Sequence, residues 1–210
     1  MTPSHAGRTE RRPASPPEFG SGIPEGFTRI HPAVPVILYG PAVILLTALA
    51  LPYVDWPALV GYGVLGYLAW TLTEYWVHRA AFHFTPRGPR TQRLHWMVHG
   101  LHHDHPSDSR RLVLHPLATL LGNSTTYGLS HTLFDAGAAD AFTAGFIAGY
   151  LLYEALHYHL HHNSPSSVLG RRLRAHHLRH HFQDDGRGFG ISCPYWDTVF
   201  GTAPAPAGTH

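Results

Sequence analysis

The stretch His95-Trp96-Met97-Val98-His99-Gly100-Leu101-His102-His103 decides how this chain folds, because it belongs to a set of histidines whose spacing predicts that several helices converge on one site. Histidine accounts for 20 of the 210 residues. Neutral imidazole is the commonest protein ligand for metals. A single histidine is better explained as a satisfied surface or core residue, but four clusters together predict a metal site. The clusters read HRAAFH at 78–83, HGLHH at 99–103, HYHLHH at 157–162 and HHLRHH at 176–181.

The spacing within the clusters indicates which histidines face a common site. A helix advances ~100° per residue, so an H-x-x-H-H pattern puts three rings on one helix face, and this pattern occurs twice. His157 and His161 share a face as well, whereas His78 and His83 are five residues apart, so a helix there has to end or loosen. Ten such ligands are enough for two metal ions. The predicted ligands are His78, His83, His99, His102, His103, His157, His161, His177, His180 and His181.

The ligand type restricts the metal. An all-imidazole site without thiolates suits iron, zinc, copper or nickel and does not suit magnesium or calcium. The only cysteine, Cys193, excludes an internal disulfide framework and cysteine-based zinc or iron–sulfur sites. Zinc cannot change its redox state, so oxygen chemistry requires iron, although zinc can displace Fe²⁺ from nitrogen sites in purified protein. A net charge of +2 without a basic aromatic stripe argues against a nucleic-acid partner.

Four apolar segments predict an all-α integral membrane protein with four transmembrane helices. Residues 34–54 and 57–77 each have the ~20 residues that cross a bilayer. The weaker segments 116–134 and 138–156 could instead be buried core helices, and Gly145 and Gly149 suit close helix contacts. We expect a disordered segment at 1–30, a catalytic membrane domain at 31–202 and a flexible tail at 203–210, with a His-rich helical cap over the membrane helices.

The arginines predict the orientation of these segments. All 15 basic residues are arginine. They lie before the first segment, between the second and third, and after the fourth, while the two short turns have none. The positive-inside rule then places both termini and all four histidine clusters in the cytoplasm.

Two acids inside apolar segments and two further histidines are candidates for roles around the ligands. A carboxylate in a membrane helix is costly and is a functional candidate by default. Glu74 and Glu154 lie one helical turn before His78 and His157, so either can accept the second N–H of an imidazole and orient the ring. Alternatively, a serine, threonine or tyrosine hydroxyl satisfies each carboxyl. His95 and His176 are assigned to the same surrounding layer or to exposed positions.

Five stretches resemble one family, in the same order. They are WTLTEYWVHRAAFHF, LHWMVHGLHHDHPSDSRRLVLHP, GYLLYEALHYHLHH, RAHHLRHHF and GFGISCPYWDTVFGT, within residues 60–202. They resemble the fatty acid hydroxylase superfamily of membrane His-box proteins, and most closely the fatty acid 2-hydroxylases of sphingolipid acyl chains. The resemblance implies four transmembrane helices under a cytosolic cap that holds two metals. It also implies O2-dependent hydroxylation at C2 of a long acyl chain on a ceramide or another lipid.

One departure from the resemblance concerns the electron supply. Eukaryotic relatives carry a cytochrome b5-like domain, for which residues 1–30 are too short. We therefore expect a separate ferredoxin, cytochrome or reductase as donor, and a bacterial inner-membrane protein. Two alternatives in the same superfamily remain open, a carotenoid or sterol ring hydroxylase and an acyl desaturase. The alternative of another class is a non-redox membrane zinc protein.

Overall fold

A computed structural model describes residues 28–205, and this part of the chain is helical without any β-strand. The all-α class predicted from the sequence is therefore confirmed. The helices are α1 (Val34–Ala50), α2 (Trp56–Trp76), α3 (Pro89–His95), α4 (Leu101–Asp104), α5 (Pro116–Leu133), α6 (Ala136–His162), α7 (Val168–Phe182) and α8 (Tyr195–Val199). Two wide π-helical turns, Val77–Phe82 and Trp96–Gly100, continue α2 and join α3 to α4.

The four long helices lie where the apolar segments predicted them, but the prediction that they cross a membrane is not supported. No helix within residues 28–205 is both long enough and apolar enough to cross a bilayer. Most of the predicted N-terminal segment 1–30 and of the predicted tail 203–210 lies outside the described residues. Residues 28–30 are tied to the fold, since Ile30 N–H donates to the Arg110 carbonyl at 2.7 Å.

Helix α6 is the centre of the fold, because α1, α2 and α5 all pack against it. Its contact with α2 is so close that only glycine fits. A Cβ added at Gly66 would lie 1.9 Å from the Phe142 carbonyl oxygen, and one at Gly145 would lie 1.9 Å from the Gly63 carbonyl oxygen. The close helix contact predicted at Gly145 is confirmed.

Two apolar clusters stabilise this bundle. Tyr39 of α1 packs edge-on against Tyr150 of α6, with ring centroids 5.5 Å apart, and Trp70 of α2 packs against the same tyrosine. Ala50, Leu59 and Ala141 form a second cluster at the C-terminal end of α1, against which Val54 and Tyr62 pack. The alternative that α6 is a buried core helix fits its burial, whereas α5 exposes large apolar side chains such as Leu121 and Leu133.

All four histidine clusters lie at one end of the bundle. They follow the C-terminal end of α2, span the α3–α4 region, end α6 and occupy α7, which packs back against α6. The polar segments between the long helices therefore form a cap, which we call the histidine cap (residues 77–115 and 157–202). The convergence of the clusters predicted from the sequence is confirmed.

Candidate metal centre

The first π-helical turn allows His78 and His83 to face the same site although they are five residues apart. The His83 N–H donates to the His78 carbonyl at 3.1 Å, a hydrogen bond across five residues. Such a wide turn brings residues five apart towards one face, and the two ring centroids are 5.0 Å apart. The helix therefore loosens into a π turn and then ends, with His83 as its C-cap, as the spacing predicted.

The second π turn positions the histidine cluster at 99–103. It ends at Gly100, where an added Cβ would lie 2.8 Å from Cδ1 of Trp96. The indole Nε1–H of Trp96 donates to the Asp104 carboxylate at 2.8 Å, which holds the turn against α4. His99, His102 and His103 then project from two consecutive helical elements towards the interior of the cap.

The ten predicted histidines form two groups of five. Within each group, one ring nitrogen of every member lies within 4.8 Å of those of the other members. In the first group, Nε2 of His99 and Nε2 of His103 are 3.0 Å apart. In the second, Nε2 of His161 lies 2.7 Å from Nε2 of His177 and 3.2 Å from Nε2 of His157. The first group comprises His78, His83, His99, His103 and His180, and the second His102, His157, His161, His177 and His181.

The two groups lie side by side and share sequence motifs. Each H-x-x-H-H triplet is divided between them, because His102 belongs to the second group and its neighbour His103 to the first, as do His181 and His180. The rings of His103 and His181 stack across the boundary with centroids 4.2 Å apart.

The buried nitrogens of both groups fit metal ions. Nε2 of His78, His83 and His180, and both ring nitrogens of His102 and His181, are buried without a hydrogen-bond partner in the described part of the chain. Buried polar atoms are normally paired, so these atoms call for a cation. With metal–nitrogen bonds of about 2.0–2.1 Å, two nitrogens on one ion lie about 2.9–3.4 Å apart, close to the separations observed.

Burial also keeps these rings neutral. Burial first, and repulsion from neighbouring imidazoles such as His180 second, together lower the pKa of His83 to about 2 and that of His103 to about 3. Burial first, and repulsion from neighbouring imidazoles second, also lower the pKa of His78, His99 and His102 well below the usual value. Neutral rings offer a lone pair, which is the form that binds a metal.

Glu74 does not orient an imidazole directly, so that prediction is wrong. Its carboxylate accepts hydrogen bonds from the backbone N–H groups of Ile191 and Ser192, both at 2.8 Å, and from the Ser192 hydroxyl. The alternative of a hydroxyl-satisfied carboxyl is closer to the structure. Nδ1 of His78 donates instead to the Phe189 carbonyl at 2.7 Å.

The other three surrounding residues also lie outside both groups. Glu154 is buried in the wall of a cavity, and no hydrogen bond joins its carboxylate to an imidazole within residues 28–205. His95 packs edge-on against Phe84. His176 binds the Asp197 carboxylate through Nε2 at 3.0 Å.

Asp197 was not singled out from the sequence. It is fully buried and accepts from Thr202 and from two backbone N–H groups as well as from His176. Burial raises the pKa of Asp197, but the hydrogen bonds, that of His176 first, outweigh burial and hold the pKa below its usual value. A charged residue within the aromatic run PYWDTVF was the available signal.

A cavity of about 550 Å³ leads to the histidines. It reaches one ligand of each group, His78 and His102. The remaining wall is mainly apolar and aromatic and includes Phe82, Met97, Val98, Leu101, Phe146 and Tyr153. A long apolar chain placed in this cavity lies beside both groups.

A helical bundle whose cap gathers ten histidines into two adjacent groups, seven of them buried and three half-buried, defines a histidine-rich protein with two candidate metal sites. The chain belongs to the fatty acid hydroxylase family, since the model of the family Fatty acid hydroxylase matches residues 63–202.

Named relatives agree with this family. The chain is 37% identical over 171 residues to a dihydroceramide fatty acyl 2-hydroxylase of Arabidopsis thaliana, covering 81% of this chain and 70% of that protein. It is 40% identical over 149 residues to the fatty acid 2-hydroxylase of Rattus norvegicus, covering 68% of this chain and 39% of that protein. A solved structure of full-length scs7p, in which only the hydroxylase domain is visible, superposes with a TM-score of 0.85 at 32% identity, covering 92% of this chain and 74% of that one.

Proposed function

We propose that this chain is an O2-dependent hydroxylase that acts at C2 of a long acyl chain carried by a ceramide or a similar lipid. The observation that carries the proposal is the apolar cavity, which opens onto one histidine from each group. The names of the relatives, fatty acid 2-hydroxylase and dihydroceramide fatty acyl 2-hydroxylase, support the substrate class and the position.

The ten histidines would hold two metal ions, five imidazoles for each. Two iron ions bound there would supply the activation of O2. In the overall reaction one C–H bond of the acyl chain becomes C–OH, and the second oxygen atom leaves as water. Two electrons come from a separate donor such as a ferredoxin, a cytochrome or a reductase, together with two protons.

The side chains of the cavity place the substrate. Met97, Val98 and Phe146 exclude water and hold the acyl chain by apolar contact. The wall also contains the amide of Asn123 and the carboxyl group of Glu154. These polar groups suit the carbonyl or amide end of the substrate.

Delivery of the substrate would use the outer surface of the helices. Large apolar side chains point outwards on α1, α2 and α5, including Ile37 at 68% exposure, Ile44 at 73% and Leu121 at 71%. Exposed apolar surface of this extent marks an interaction surface. We infer that it contacts lipid, with the histidine cap on the cytoplasmic side as the arginine distribution predicts.

The test is to express the chain with a ferredoxin–reductase pair in a lipid-producing host and to locate new oxygen by mass spectrometric fragmentation. A hydroxyl at C2 is expected. Ala118→Trp, in the cavity wall, should cut the product at least 10-fold without loss of metal. Leu120→Trp, on the same helix but outside the wall, is the matched control and should keep activity.

Three outcomes would contradict the proposal. Oxygen on a ring indicates a carotenoid or sterol hydroxylase, and a double bond without oxygen indicates a desaturase. No redox product from iron-loaded protein with a competent donor would favour a zinc protein without redox chemistry.

A further inference from the structure

The short segment 187–192, which we call the carbonyl loop, contacts two histidines of the first group from behind. Nδ1 of His180 lies 2.7 Å from the Arg187 carbonyl oxygen, and Nδ1 of His78 lies 2.7 Å from the Phe189 carbonyl oxygen. A carbonyl can only accept, so both Nδ1 atoms carry the proton. The Nε2 lone pairs of both rings therefore point into the first group, where both atoms are buried without a protein partner.

Two buried carboxylates fix the carbonyl loop itself. Asp197 accepts from the N–H groups of Phe189 and Gly190, both at 2.8 Å. Glu74 accepts from the next two, those of Ile191 and Ser192, also at 2.8 Å. Four consecutive backbone N–H groups are thus held by Asp197 and Glu74. The bonds to Asp197, whose pKa lies below its usual value, are charge-assisted and therefore stronger than neutral ones.

The loop is also sterically fitted to Asp197. An added Cβ at Gly190 would lie 2.5 Å from the Cys193 carbonyl oxygen and 3.1 Å from Oδ2 of Asp197. Only a glycine fits at this position, because a Cβ would overlap the Cys193 carbonyl. The loop therefore has little freedom to move while Asp197 remains charged and in place.

Four of the five rings in the second group have no backbone carbonyl at Nδ1. Their Nδ1 atoms are buried without a hydrogen-bond partner in the described structure. No contact with the carbonyl loop orients these four rings in the described structure, whereas two rings of the first group are held by its backbone carbonyls. The four are His102, His157, His177 and His181.

We propose that Asp197 is a positioning residue, which together with Glu74 holds the carbonyl loop so that His78 and His180 present Nε2 to the first metal. The second metal is independent of this support. The inference rests on the proposed dinuclear centre, and it predicts that the two metals differ in what retains them.

The experiment measures metal release from zinc-loaded full-length protein into excess chelator. Wild-type protein should hold two equivalents. Asp197→Asn puts an amide N–H₂ against a backbone N–H or the Thr202 hydroxyl, so the loop loosens. Metal of the first group should then leave about 10–100-fold faster, the usual cost of losing such a supporting partner, while the other equivalent leaves at the wild-type rate. Glu74→Gln should act in the same way.

Two backgrounds identify which metal leaves. With His177→Ala the second group is incomplete, and Asp197→Asn should then accelerate loss of the remaining metal. With His99→Ala the first group is incomplete, and Asp197→Asn should leave the remaining release rate unchanged. Ser192→Ala, which removes only one donor to Glu74, is the milder variant should Asp197→Asn fail to fold, and it should show the same selectivity with a smaller acceleration.

Asp140→Asn is the matched control. Like Asp197, Asp140 is a buried carboxylate in hydrogen-bond contact with a histidine ring, but its partner is His131 in the bundle, at 3.1 Å. This variant should release both metals at wild-type rates. Equal acceleration of both metals in Asp197→Asn, or no acceleration, would overturn the inference. Fewer than two equivalents in wild-type protein would overturn the dinuclear centre itself.

Discussion

His102 and His103 are joined by one peptide bond, yet they face different groups. On a helix, consecutive side chains diverge by ~100°, so one dipeptide can serve two neighbouring centres. The same division occurs at His180 and His181. Each H-x-x-H-H motif therefore contributes ligands to both groups. In the first motif His99 and His103 belong to the first group and His102 to the second. In the second motif His177 and His181 belong to the second group and His180 to the first.

Single substitutions should separate the two centres. His103→Ala removes a ligand from the first group and His102→Ala one from the second, so each variant should retain about one metal equivalent with strong affinity and lose hydroxylation at least 100-fold. Metal analysis after gel filtration and product quantification check this. His159→Ala, an exposed histidine of the third cluster, is the control and should keep both metals. Retention of two tightly bound equivalents in His102→Ala would contradict the assignment.

At this scale the sequence predicted which histidines converge but not how they divide. Imidazole spacing identifies a face, and the ten residues on those faces are the ten that the structure brings together. The division depends on the π turns and on the angle between helices, which are tertiary properties. The contacts of Glu74 were predicted wrongly because its partners, Ile191 and Ser192, are more than 115 residues away in the chain.

The crossing of α2 and α6 is the element on which the position of the cap depends. Gly66→Ala forces a methyl group to within 1.9 Å of the Phe142 carbonyl oxygen. Overpacking of this kind costs about 1–3 kcal/mol or more, so the midpoint of thermal unfolding should fall by several degrees. Gly61→Ala on the same helix is the control, since nothing lies within 4 Å of its added Cβ. It should be neutral or stabilise by up to about 1 kcal/mol. Equal melting of the two variants would mean that the contact is looser than described.

The four long helices of the bundle were predictable because each is an apolar run bounded by proline, aspartate or polar residues. Asp55, for example, caps α2 by accepting from the Ala58 N–H at 2.9 Å. The π turns were not predictable, since no local sequence rule distinguishes HRAAFH in a π turn from the same residues at a helix end. The membrane crossings were predicted from segment hydropathy, and the helices of the described chain do not meet that requirement.

For the whole molecule, metal binding and folding should be linked. Ten imidazoles are gathered from four separate parts of the chain, and several of their buried nitrogens have no hydrogen-bond partner within residues 28–205. A ligand that binds only the folded state stabilises it by about 2.7 kcal/mol at 100 times its Kd. Removal of metal by a chelator should therefore lower the unfolding midpoint, and re-addition of Zn²⁺ or Fe²⁺ should restore it. Mg²⁺ is the control and should have no effect. An unchanged midpoint in metal-free protein would count against structural dependence on the two ions.

The close contact between α2 and α6 at Gly66 and Gly145 acts as a pivot between the two helices. From Gly66 to His78 and from Gly145 to His157 the chain runs 12 residues along continuous helix. At 1.5 Å per residue, each of these two helical segments is about 18 Å long. The two segments end at ligands of different groups, since His78 belongs to the first group and His157 to the second. A change of about 5° in the angle between the helices moves the end of a segment by about 1.6 Å over this length. The distance between His78 and His157, one ligand of each group, therefore depends in part on backbone contacts about 18 Å from either of them, so a substitution at the crossing can alter this distance without touching a ligand.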